Sequence, residues 1–252
     1  MEKQESHLFA IYIENLSQLQ KGKELEIVDK ALHQRLSRIL RLKSGEQVTF
    51  FDKNINIQAV FLDETYASKK SIFVKVLNSK KNKALFPEIV FCPSILKKSS
   101  FEHVIYIAAQ MGANSILPIM AEKSVKSFWS QKEKERLDKI IISACEQAKN
   151  FNLPELRDPI KLQDFIKNCG TKKAGKIFFD PEGGSLFDLL KKVNEKKVEK
   201  LFLLIGPEGG FTDSEMKLLE KSEFKSYCFT PTILRSIEAS ALALGSIRSV
   251  TR

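Results

Sequence analysis

The hydrophobic pattern of the first third of the chain is typical of short β-strands. Apolar runs rich in aromatic and β-branched side chains are separated by polar and turn-forming residues. We predict strands at residues 8–13, 47–51, 57–62 and 71–77. A polar and basic stretch at residues 79–83 follows, and such stretches usually lie where few contacts cross between domains. The pattern therefore predicts two domains, at residues 1–77 and 84–252.

One predicted helix interrupts these strands. Four apolar residues recur at helical spacing and are expected to share one face: Leu32, Leu36, Ile39 and Leu40. Asp29 precedes them and is a candidate N-cap. The other side and the end of the helix carry a basic set: Arg35, Arg38, Arg41 and Lys43. Guanidinium groups bind phosphate through paired hydrogen bonds, so this set is either an RNA-backbone contact or an ordinary solvated surface.

From Leu85 onward the pattern changes to alternating strands and helices. Strands are predicted at residues 88–92, 115–119, 176–179, 201–205 and 226–229. Helices are predicted at residues 99–111, 132–149, 185–193, 213–221 and 235–250. This alternation favours an α/β domain with a mainly parallel sheet covered by helices.

Composition bounds the class of protein. The 252 residues are 43% hydrophobic, enough for a buried core, and carry a formal charge of +10. A basic surface attracts polyanions such as nucleic acids, although a solvated lysine-rich surface gives the same composition. Residues 1–6 are polar, the next apolar run is too short for a secretory signal, and no apolar stretch approaches the roughly 20 residues that span a bilayer. We expect a cytoplasmic protein without a membrane segment.

The cysteines and histidines predict no metal site. No two of the four cysteines form a C-x-x-C pair, and the three histidines are far apart in the chain. Candidate chemistry must therefore come from other residues.

The most informative segment follows the apolar run at residues 201–205. It is a glycine-rich loop, the glycine loop below: Gly206, Pro207, Glu208, Gly209 and Gly210. Thr212 and Glu215 then form a capping-box pattern that marks a helix start. Ligands bind beyond the carboxyl ends of strands in open α/β sheets, and glycines let a ligand approach the backbone. The loop is either a ligand site or a tight turn, and it matches neither a P-loop nor a dinucleotide fingerprint.

Two other strand ends carry related residues. The strand at 176–179 runs into Asp180, Pro181, Glu182, Gly183 and Gly184. The strand at 226–229 runs into a proline-containing loop that ends at Arg235, the first residue of a predicted helix. Because the helix dipole disfavours a cation there, Arg235 either has a task of its own or is a plain surface side chain. Parallel strand ends meet at one edge of a sheet, so the loop at residues 180–184 and the glycine loop are expected to form two walls of one pocket.

These motifs resemble those of the bacterial 16S ribosomal RNA uridine-N3 methyltransferases, members of the SPOUT or α/β-knot class. The resemblance covers nearly the whole chain and is carried by residues 33–46, 144–155, 205–211 and 230–239. It implies an α/β fold with a C-terminal SPOUT-type trefoil-knotted parallel sheet, helices on both faces, and an N-terminal PUA-like β-barrel that binds RNA. It also implies a homodimer formed through the C-terminal domain, with 16S ribosomal RNA of the small subunit as the partner.

The resemblance also implies the cofactor and its site. S-adenosylmethionine is the expected methyl donor, held by these residues: Phe179, Asp180, Leu204, Ile205, Gly206, Pro207, Gly209, Gly210, Phe229, Thr230, Ile233, Leu234 and Ser236. Methyl transfer needs donor and acceptor in line, and N3 of uridine must lose its proton to attack. We expect Arg235 to stabilise the resulting anion or hold a phosphate, and Glu208 or Glu238 to supply a carboxylate.

Several positions depart from the family pattern, among them Gln110 in place of an acidic residue. Thr232 replaces an arginine, Ile237 takes the place of an acidic residue, and Glu238 carries the acid one position later. Asn150 and Asn152 stand where arginines are expected. Two alternatives therefore stay open: an RNA-binding ribosome assembly factor with a vestigial methyltransferase fold, and a nucleotide-binding enzyme that uses the glycine-rich loops for phosphate.

Overall fold

The computed structural model of the protein describes residues 8–16, 24–62, 71–125, 130–170, 174–195 and 198–251. The chain divides into two compact units, of which the first ends at Lys83 and the second begins at Ala84. Each unit contains its own cluster of buried apolar side chains. Within the described ranges, no helix has both the length and the apolar character needed to cross a membrane.

A five-stranded sheet builds the first unit. Its strands are β1 (Phe9–Tyr12), β2 (Glu24–Val28), β3 (Gln47–Phe51), β4 (Ile55–Phe61) and β5 (Ser71–Lys81). They lie in the order β1-β3-β4-β5-β2, with β1 parallel to β3 and the other neighbours antiparallel. Side chains at alternate positions, such as Val48 and Phe50, are buried in its core, as expected for a strand with one inward face. The predicted strands are present, and β2 is an addition that the pattern missed.

The last strand of this sheet is longer than expected. The polar stretch at residues 79–83 was expected to break the chain, yet Ser79, Lys80 and Lys81 pair with β4. Their side chains are exposed, so the pairing of the backbone continues without burying a charge. The polar break is therefore shorter than the composition suggests, because backbone hydrogen bonds do not depend on side-chain polarity.

The helix of the first unit begins as predicted and then changes its pitch. Asp29 caps α1 (Lys30–Gln34), accepting hydrogen bonds from the backbone N–H groups of Ala31 and Leu32 at 2.8 and 2.9 Å. A π-helical turn, Arg35–Ile39, follows directly. The wider turn changes the angle between successive side chains, so Ile39 at its end is 74% exposed instead of joining the predicted apolar face.

The second unit consists of two parallel sheets and six helices in its described residues. The strands are β6 (Glu88–Pro93), β7 (Ser115–Ile116), β8 (Ile119–Met120), β9 (Glu155–Leu156), β10 (Ile160–Lys161), β11 (Ala174–Ser185), β12 (Lys200–Ile205) and β13 (Lys225–Cys228). The helices are α2 (Lys98–Gln110), α3 (Gln131–Ala148), α4 (Leu162–Asn168), α5 (Leu186–Glu195), α6 (Asp213–Lys221) and α7 (Ser236–Ser249). The large sheet has the order β13-β11-β12-β6-β7-β9, and β10 pairs with β8. All of these pairs are parallel, as the alternation of strands and helices predicted.

Apolar side chains cover both faces of the large sheet. On one face, Val90 and Leu204 pack in a cluster with Phe165 of α4 and Leu219 of α6. The alternate residues, such as Leu203, are equally buried on the other face, where α7 contacts β12 and α2. The sheet is therefore buried on both sides, which explains why β6 and β12 read as continuous hydrophobic runs.

A half-buried arginine joins three separate segments of this unit. Arg248, near the end of α7, donates hydrogen bonds to the carbonyl oxygens of Gly112 and Pro87 and to the side-chain oxygen of Asn114. Burial lowers the pKa of Arg248 to about 10, so the side chain remains a cation at neutral pH. Its bonds tie the last helix to the turn after α2 and to the start of β6.

Candidate functional site

A cavity of about 350 Å³ opens at the carboxyl end of β12, beside an irregular part of β11. Three segments line it: residues 179–181 of β11, the glycine loop after β12, and the loop from β13 to α7. The lining residues are Phe179, Asp180, Pro181, Ile205, Gly206, Pro207, Glu208, Gly209, Gly210, Phe211, Phe229, Thr230, Thr232, Ile233, Leu234, Ser236 and Ala239. This is the edge at which open α/β sheets bind their ligands.

The glycine loop forms the first wall as a hydrogen-bonded turn. The N–H of Gly210 donates to the carbonyl oxygen of Pro207 at 2.9 Å, and Gly210 has a φ of +67°. A residue with a Cβ is strained at this positive φ, so glycine suits the position. The capping box predicted after the loop is confirmed, because the side chain of Thr212 accepts from the N–H of Glu215 and Glu215 accepts from the N–H of Thr212.

The second wall comes from an irregularity in β11. Phe179 and Gly184 both lie opposite Tyr227 of β13, so the residues between them leave the ladder as a bulge and return to it. The sequence predicted a strand end and a turn at this point, whereas the strand continues to Ser185. Before the bulge, the ring of Phe179 stacks on that of Phe229 at 3.9 Å between centroids and 14° between planes. This stack joins the second wall to the third.

The third wall is the loop between β13 and α7. Thr230 Oγ1 donates to the carbonyl oxygen of Thr232 at 2.7 Å and closes a tight turn. Ser236, the first residue of α7, donates from Oγ to the carbonyl oxygen of Gly206 at 3.1 Å. The start of α7 is thereby fastened to the glycine loop, although β13 lies at the sheet edge and β12 does not.

The structure brings together all but one of the expected cofactor residues. Leu204 is the exception, because it is fully buried in the core cluster on the opposite face from the cavity. The side chains of β12 alternate between faces, so Ile205 reaches the cavity and Leu204 does not.

The three expected catalytic residues are placed differently from one another. Glu208 lines the cavity and is exposed to solvent. Arg235 is the N-cap residue of α7, is exposed, and makes no side-chain capping hydrogen bond. Glu238 is exposed in the first turn of α7 and, like Arg235, does not line the cavity.

Sequence reasoning missed four lining residues: Pro181, Phe211, Thr232 and Ala239. Phe211 was the most accessible to prediction, since an aromatic residue follows the glycines directly. Its ring lies 3.3 Å from the position that a Cβ on Gly206 would occupy, so the glycine makes room for it. Ala239 lies one helical turn after Ser236, so both residues are on the same face of α7 and both line the cavity.

Asn150, at a departure from the family pattern, has a structural role. Its side-chain nitrogen donates to the carbonyl oxygen of Ala109 at 2.8 Å, and its side-chain oxygen accepts from the N–H of Asn152 at 3.1 Å. The residue therefore links the loop after α3 to the last turn of α2. Thr232, at another departure, also makes a side-chain contact, since its Oγ1 lies 3.2 Å from Thr230 Oγ1.

The basic set of the first unit is largely accessible. Arg38, Arg41 and Lys43 are exposed, whereas Arg35 is half-buried and has interactions of its own. Arg41 has a φ of +53°, an uncommon conformation for a residue with a Cβ.

The chemistry of the cavity is that of small-molecule binding by backbone groups and aromatic faces. Among the described residues, no cluster of His, Cys, Asp and Glu could hold a metal ion. Burial raises the pKa of the Cys92 thiol and raises that of Cys145 to about 12, so neither is a thiolate at neutral pH. The cavity is suited to an organic ligand with a flat apolar part and polar groups that meet main-chain atoms.

Comparison with known proteins shows the family of the chain. Residues 82–248 match the family model described as RNA methyltransferase domain. The chain belongs to this family of RNA methyltransferases.

Two relatives in other bacteria are similar to this chain over most of its length. A protein of Rickettsia conorii named ribosomal RNA small subunit methyltransferase E is 24% identical over 243 residues, covering 94% of each chain. The protein of that name from Synechocystis is 25% identical over 216 residues, covering 85% of this chain and 70% of the relative.

Two solved structures share the fold and hold the same molecule. A Legionella pneumophila methyltransferase in complex with the cofactor SAM is 28% identical, with a TM-score of 0.78 over 96% of this chain and 97% of that one. The ribosomal RNA small subunit methyltransferase E of Neisseria gonorrhoeae, bound to S-adenosyl methionine, is 20% identical, with a TM-score of 0.81 over 96% and 98%.

Proposed function

We propose that this protein is an S-adenosylmethionine-dependent methyltransferase that methylates N3 of a uridine in 16S ribosomal RNA of the small subunit. The observation that carries the proposal is the cavity enclosed by the glycine loop, the β11 bulge and the loop before α7. The family match over residues 82–248 supports methyl transfer to RNA, and the relatives named for the small subunit support ribosomal RNA as the substrate. We propose the cytoplasm, where ribosomes are assembled, as the place of action.

The residues of the cavity fit S-adenosylmethionine. A volume of about 350 Å³ lies within the range of small-molecule sites. The stacked rings of Phe179 and Phe229 offer a flat apolar surface, and the three glycines of the glycine loop offer main-chain polar groups without intervening side chains. Asp180 contributes a carboxylate that can accept hydrogen bonds from hydroxyl or ammonium groups. When bound, this cofactor supplies an electrophilic methyl group.

The chain's own residues would prepare the uridine. Glu208 is the expected carboxylate that lies at the cavity, which favours it over Glu238 as the group that takes the N3 proton. Arg235 is exposed beside the cavity loop and has no capping task, so its guanidinium is available to stabilise the uridine anion or to hold a phosphate.

The first unit would hold the RNA. We assign residues 1–77 to an RNA-binding domain of PUA-like barrel type, and residues 84–252 to the methyltransferase domain. The curled order β1-β3-β4-β5-β2 and the exposed Arg38, Arg41 and Lys43, with Arg35 beside them, support this assignment. An RNA base is normally read when unstacked, so the target uridine would leave its neighbours to enter the cavity.

Two further parts of the proposal concern the architecture of the second unit. A trefoil knot is supported by the path of the chain, which leaves the edge strand β13 and fastens α7 at Gly206, directly after the internal strand β12. A homodimer through the second unit is supported by large apolar side chains on its surface, Phe187 at 73% and Ile233 at 85% exposure. Contiguous apolar patches mark interaction surfaces, and these two side chains would contribute to one.

The experiment that tests the reaction is mass spectrometry of ribosomal RNA from cells that lack the protein. We expect one N3-methyluridine to disappear from 16S RNA and to return when the unaltered gene is restored. An unchanged set of methyluridines, together with no calorimetric binding of S-adenosylmethionine, would favour the vestigial assembly factor instead.

The same assay separates catalysis from cofactor binding at Arg235. We expect Arg235→Ala to slow methylation of small subunits by about 100-fold while leaving the affinity for S-adenosylmethionine unchanged. Arg136→Ala, which removes an exposed arginine of α3 paired with Glu102, is the matched control and should leave the rate unchanged. An unchanged methylation rate in Arg235→Ala would remove this residue from the mechanism.

A further inference from the structure

A short turn outside the cavity braces the glycine loop. This turn, residues 121–124, follows β8 and is closed by two hydrogen bonds of about equal length. The N–H of Ala121 donates to Ser124 Oγ at 3.0 Å, and the N–H of Ser124 donates to the carbonyl oxygen of Ala121 at 3.0 Å. None of its residues lines the cavity. The turn can therefore influence a ligand there only through the loop that it touches.

Glu215 fastens one end of the brace. This carboxylate is 6% exposed, accepts from the N–H of Glu122 at 2.8 Å through one oxygen, and accepts from the N–H of Thr212 at 3.0 Å through the other. One buried side chain thus connects the 121–124 turn to the residue after Phe211. A carboxylate that accepts main-chain N–H groups with both oxygens makes strong, directional bonds.

Lys123 fastens the other end. Its Nζ donates to the carbonyl oxygen of Gly209 at 2.9 Å, and its Cδ lies 3.2 Å from the position that a Cβ on Gly209 would occupy. The aliphatic part of the lysine packs on the glycine while the ammonium group holds the carbonyl. A side chain on Gly209 would push this contact apart.

These bonds hold a single peptide group from both sides. In the peptide between Gly209 and Gly210, the carbonyl oxygen is bound by Lys123 and the N–H is bound by the carbonyl oxygen of Pro207. A peptide flanked by two glycines rotates more freely than any other, because neither residue has a Cβ to restrict it. The orientation of this peptide, which lies in the cavity wall, depends on the two hydrogen bonds.

We propose that Lys123 and Glu215 are positioning residues that hold the glycine loop, and the Gly209–Gly210 peptide in particular, in the orientation that receives the cofactor. The inference rests on the proposed function, since it names the residues that set the affinity of the same cavity. Neither residue touches the ligand space, so both act through the main chain.

The test compares Lys123→Met, which keeps the aliphatic chain and loses the ammonium group, with Lys123→Arg, which keeps a donor. Lys139→Met replaces an exposed lysine of α3 and is the control. We expect Lys123→Met to weaken calorimetric binding of S-adenosylmethionine about fivefold, the effect of one exposed hydrogen bond, and to raise the KM for it equally. The kcat and the melting temperature should stay near those of the unaltered protein, and Lys123→Arg should recover most of the affinity.

Hydrogen exchange of the Gly210 amide gives a readout that needs no cofactor. We expect it to speed up in Lys123→Met and not in Lys139→Met. Glu215→Gln, which replaces one accepting oxygen by an NH₂ group, should speed up exchange at Glu122 or Thr212 as well.

The outcomes are distinct. Unchanged cofactor affinity and unchanged Gly210 exchange in Lys123→Met would overturn the inference. A raised KM for RNA with unchanged cofactor affinity would also overturn it, because Lys123 would then act on RNA directly. Absence of S-adenosylmethionine binding by the unaltered protein would overturn the proposed function, while faster Gly210 exchange would still support the brace itself.

Discussion

The tetrapeptide Pro-Glu-Gly-Gly occurs twice beside the cavity, at residues 181–184 and at residues 207–210. The second copy forms a hydrogen-bonded turn that ends in a glycine of positive φ, with open space where a Cβ would be. The first copy lies in the bulge of β11, where a Cβ on Gly183 would lie 2.5 Å from the backbone of Tyr227. In the second copy glycine permits a positive φ, whereas in the first copy it permits close packing against a neighbouring strand.

The helices that follow the two copies differ in how their first turns are capped. Thr212 and Glu215 cap α6 with reciprocal hydrogen bonds. Before α5, Ser185 Oγ accepts only from the N–H of Phe187, at 3.2 Å. The neighbouring strand explains the difference, because the first copy returns to pair with β13 before its helix begins, whereas the second has no strand to rejoin. The same four residues can form a turn in both places, and the presence or absence of a neighbouring strand determines whether they form a turn or a bulge.

Substitution of the packed glycine is expected to have the largest effect. Gly183→Ala places a methyl group against the Tyr227 backbone and should destabilise the protein by about 3 kcal/mol, as overpacking against a rigid neighbour does. Gly184→Ala is the matched control, because its Cβ would meet Ser226 at an ordinary 3.6 Å. Urea denaturation of both variants measures the difference. Equal losses of stability would show that the close approach to Tyr227 does not decide the conformation of the bulge.

Removal of the aromatic stack is expected to have the second largest effect. Phe229→Ala separates the third wall from the β11 bulge, and we expect cofactor affinity to fall about tenfold, the loss of one aromatic pair and its shared surface. Phe229→Tyr retains the ring and should bind nearly as tightly as the unaltered protein. Calorimetry with S-adenosylmethionine compares the two variants. Full affinity in Phe229→Ala would mean that the glycine loop alone carries binding.

The turn glycine should show the smallest effect. Gly210→Ala meets no neighbouring atom, so only the positive φ opposes it, at about 1 kcal/mol. Gly210→Asn should lose roughly half as much stability, since asparagine tolerates this conformation better than alanine. Thermal unfolding measures the loss of stability in Gly210→Ala and in Gly210→Asn. The melting temperature of Gly183→Ala is measured in the same experiment for comparison. A loss in Gly210→Ala as large as that in Gly183→Ala would contradict the contrast between conformation and packing.

The features that the sequence predicted are those encoded by near neighbours. The cap at Asp29, the capping box at Thr212 and the apolar strand before Gly206 all depend on residues within a few positions of one another. The parallel order of the large sheet followed from the alternation of strands and helices. The meeting of the glycine loop and the Asp180 segment at one cavity followed in turn, because parallel strands end at one edge, whereas the loop before α7 was expected there from the family resemblance.

The features that escaped prediction depend on distant parts of the chain. The bulge at residues 180–183 exists because Tyr227 pairs twice with β11. Leu204 was expected at the cofactor, yet it faces the core since side chains of β12 alternate. The exposure of Ile39 arises from a π-helical turn that apolar spacing does not reveal. Lys123 reaches Gly209 across 86 positions, and nothing in its own neighbourhood marks it.

The position of Arg248 has a consequence for when the protein can fold during its synthesis on the ribosome. The residues that accept its hydrogen bonds leave the ribosome long before this arginine is synthesised: Pro87, Gly112 and Asn114. Their oxygens can accept these bonds only once Arg248 has been added. Until then these groups, later shielded from water, have no protein donor from α7. The second unit therefore completes its fold only after translation has passed residue 248, and nascent chains arrested before that codon should remain sensitive to protease.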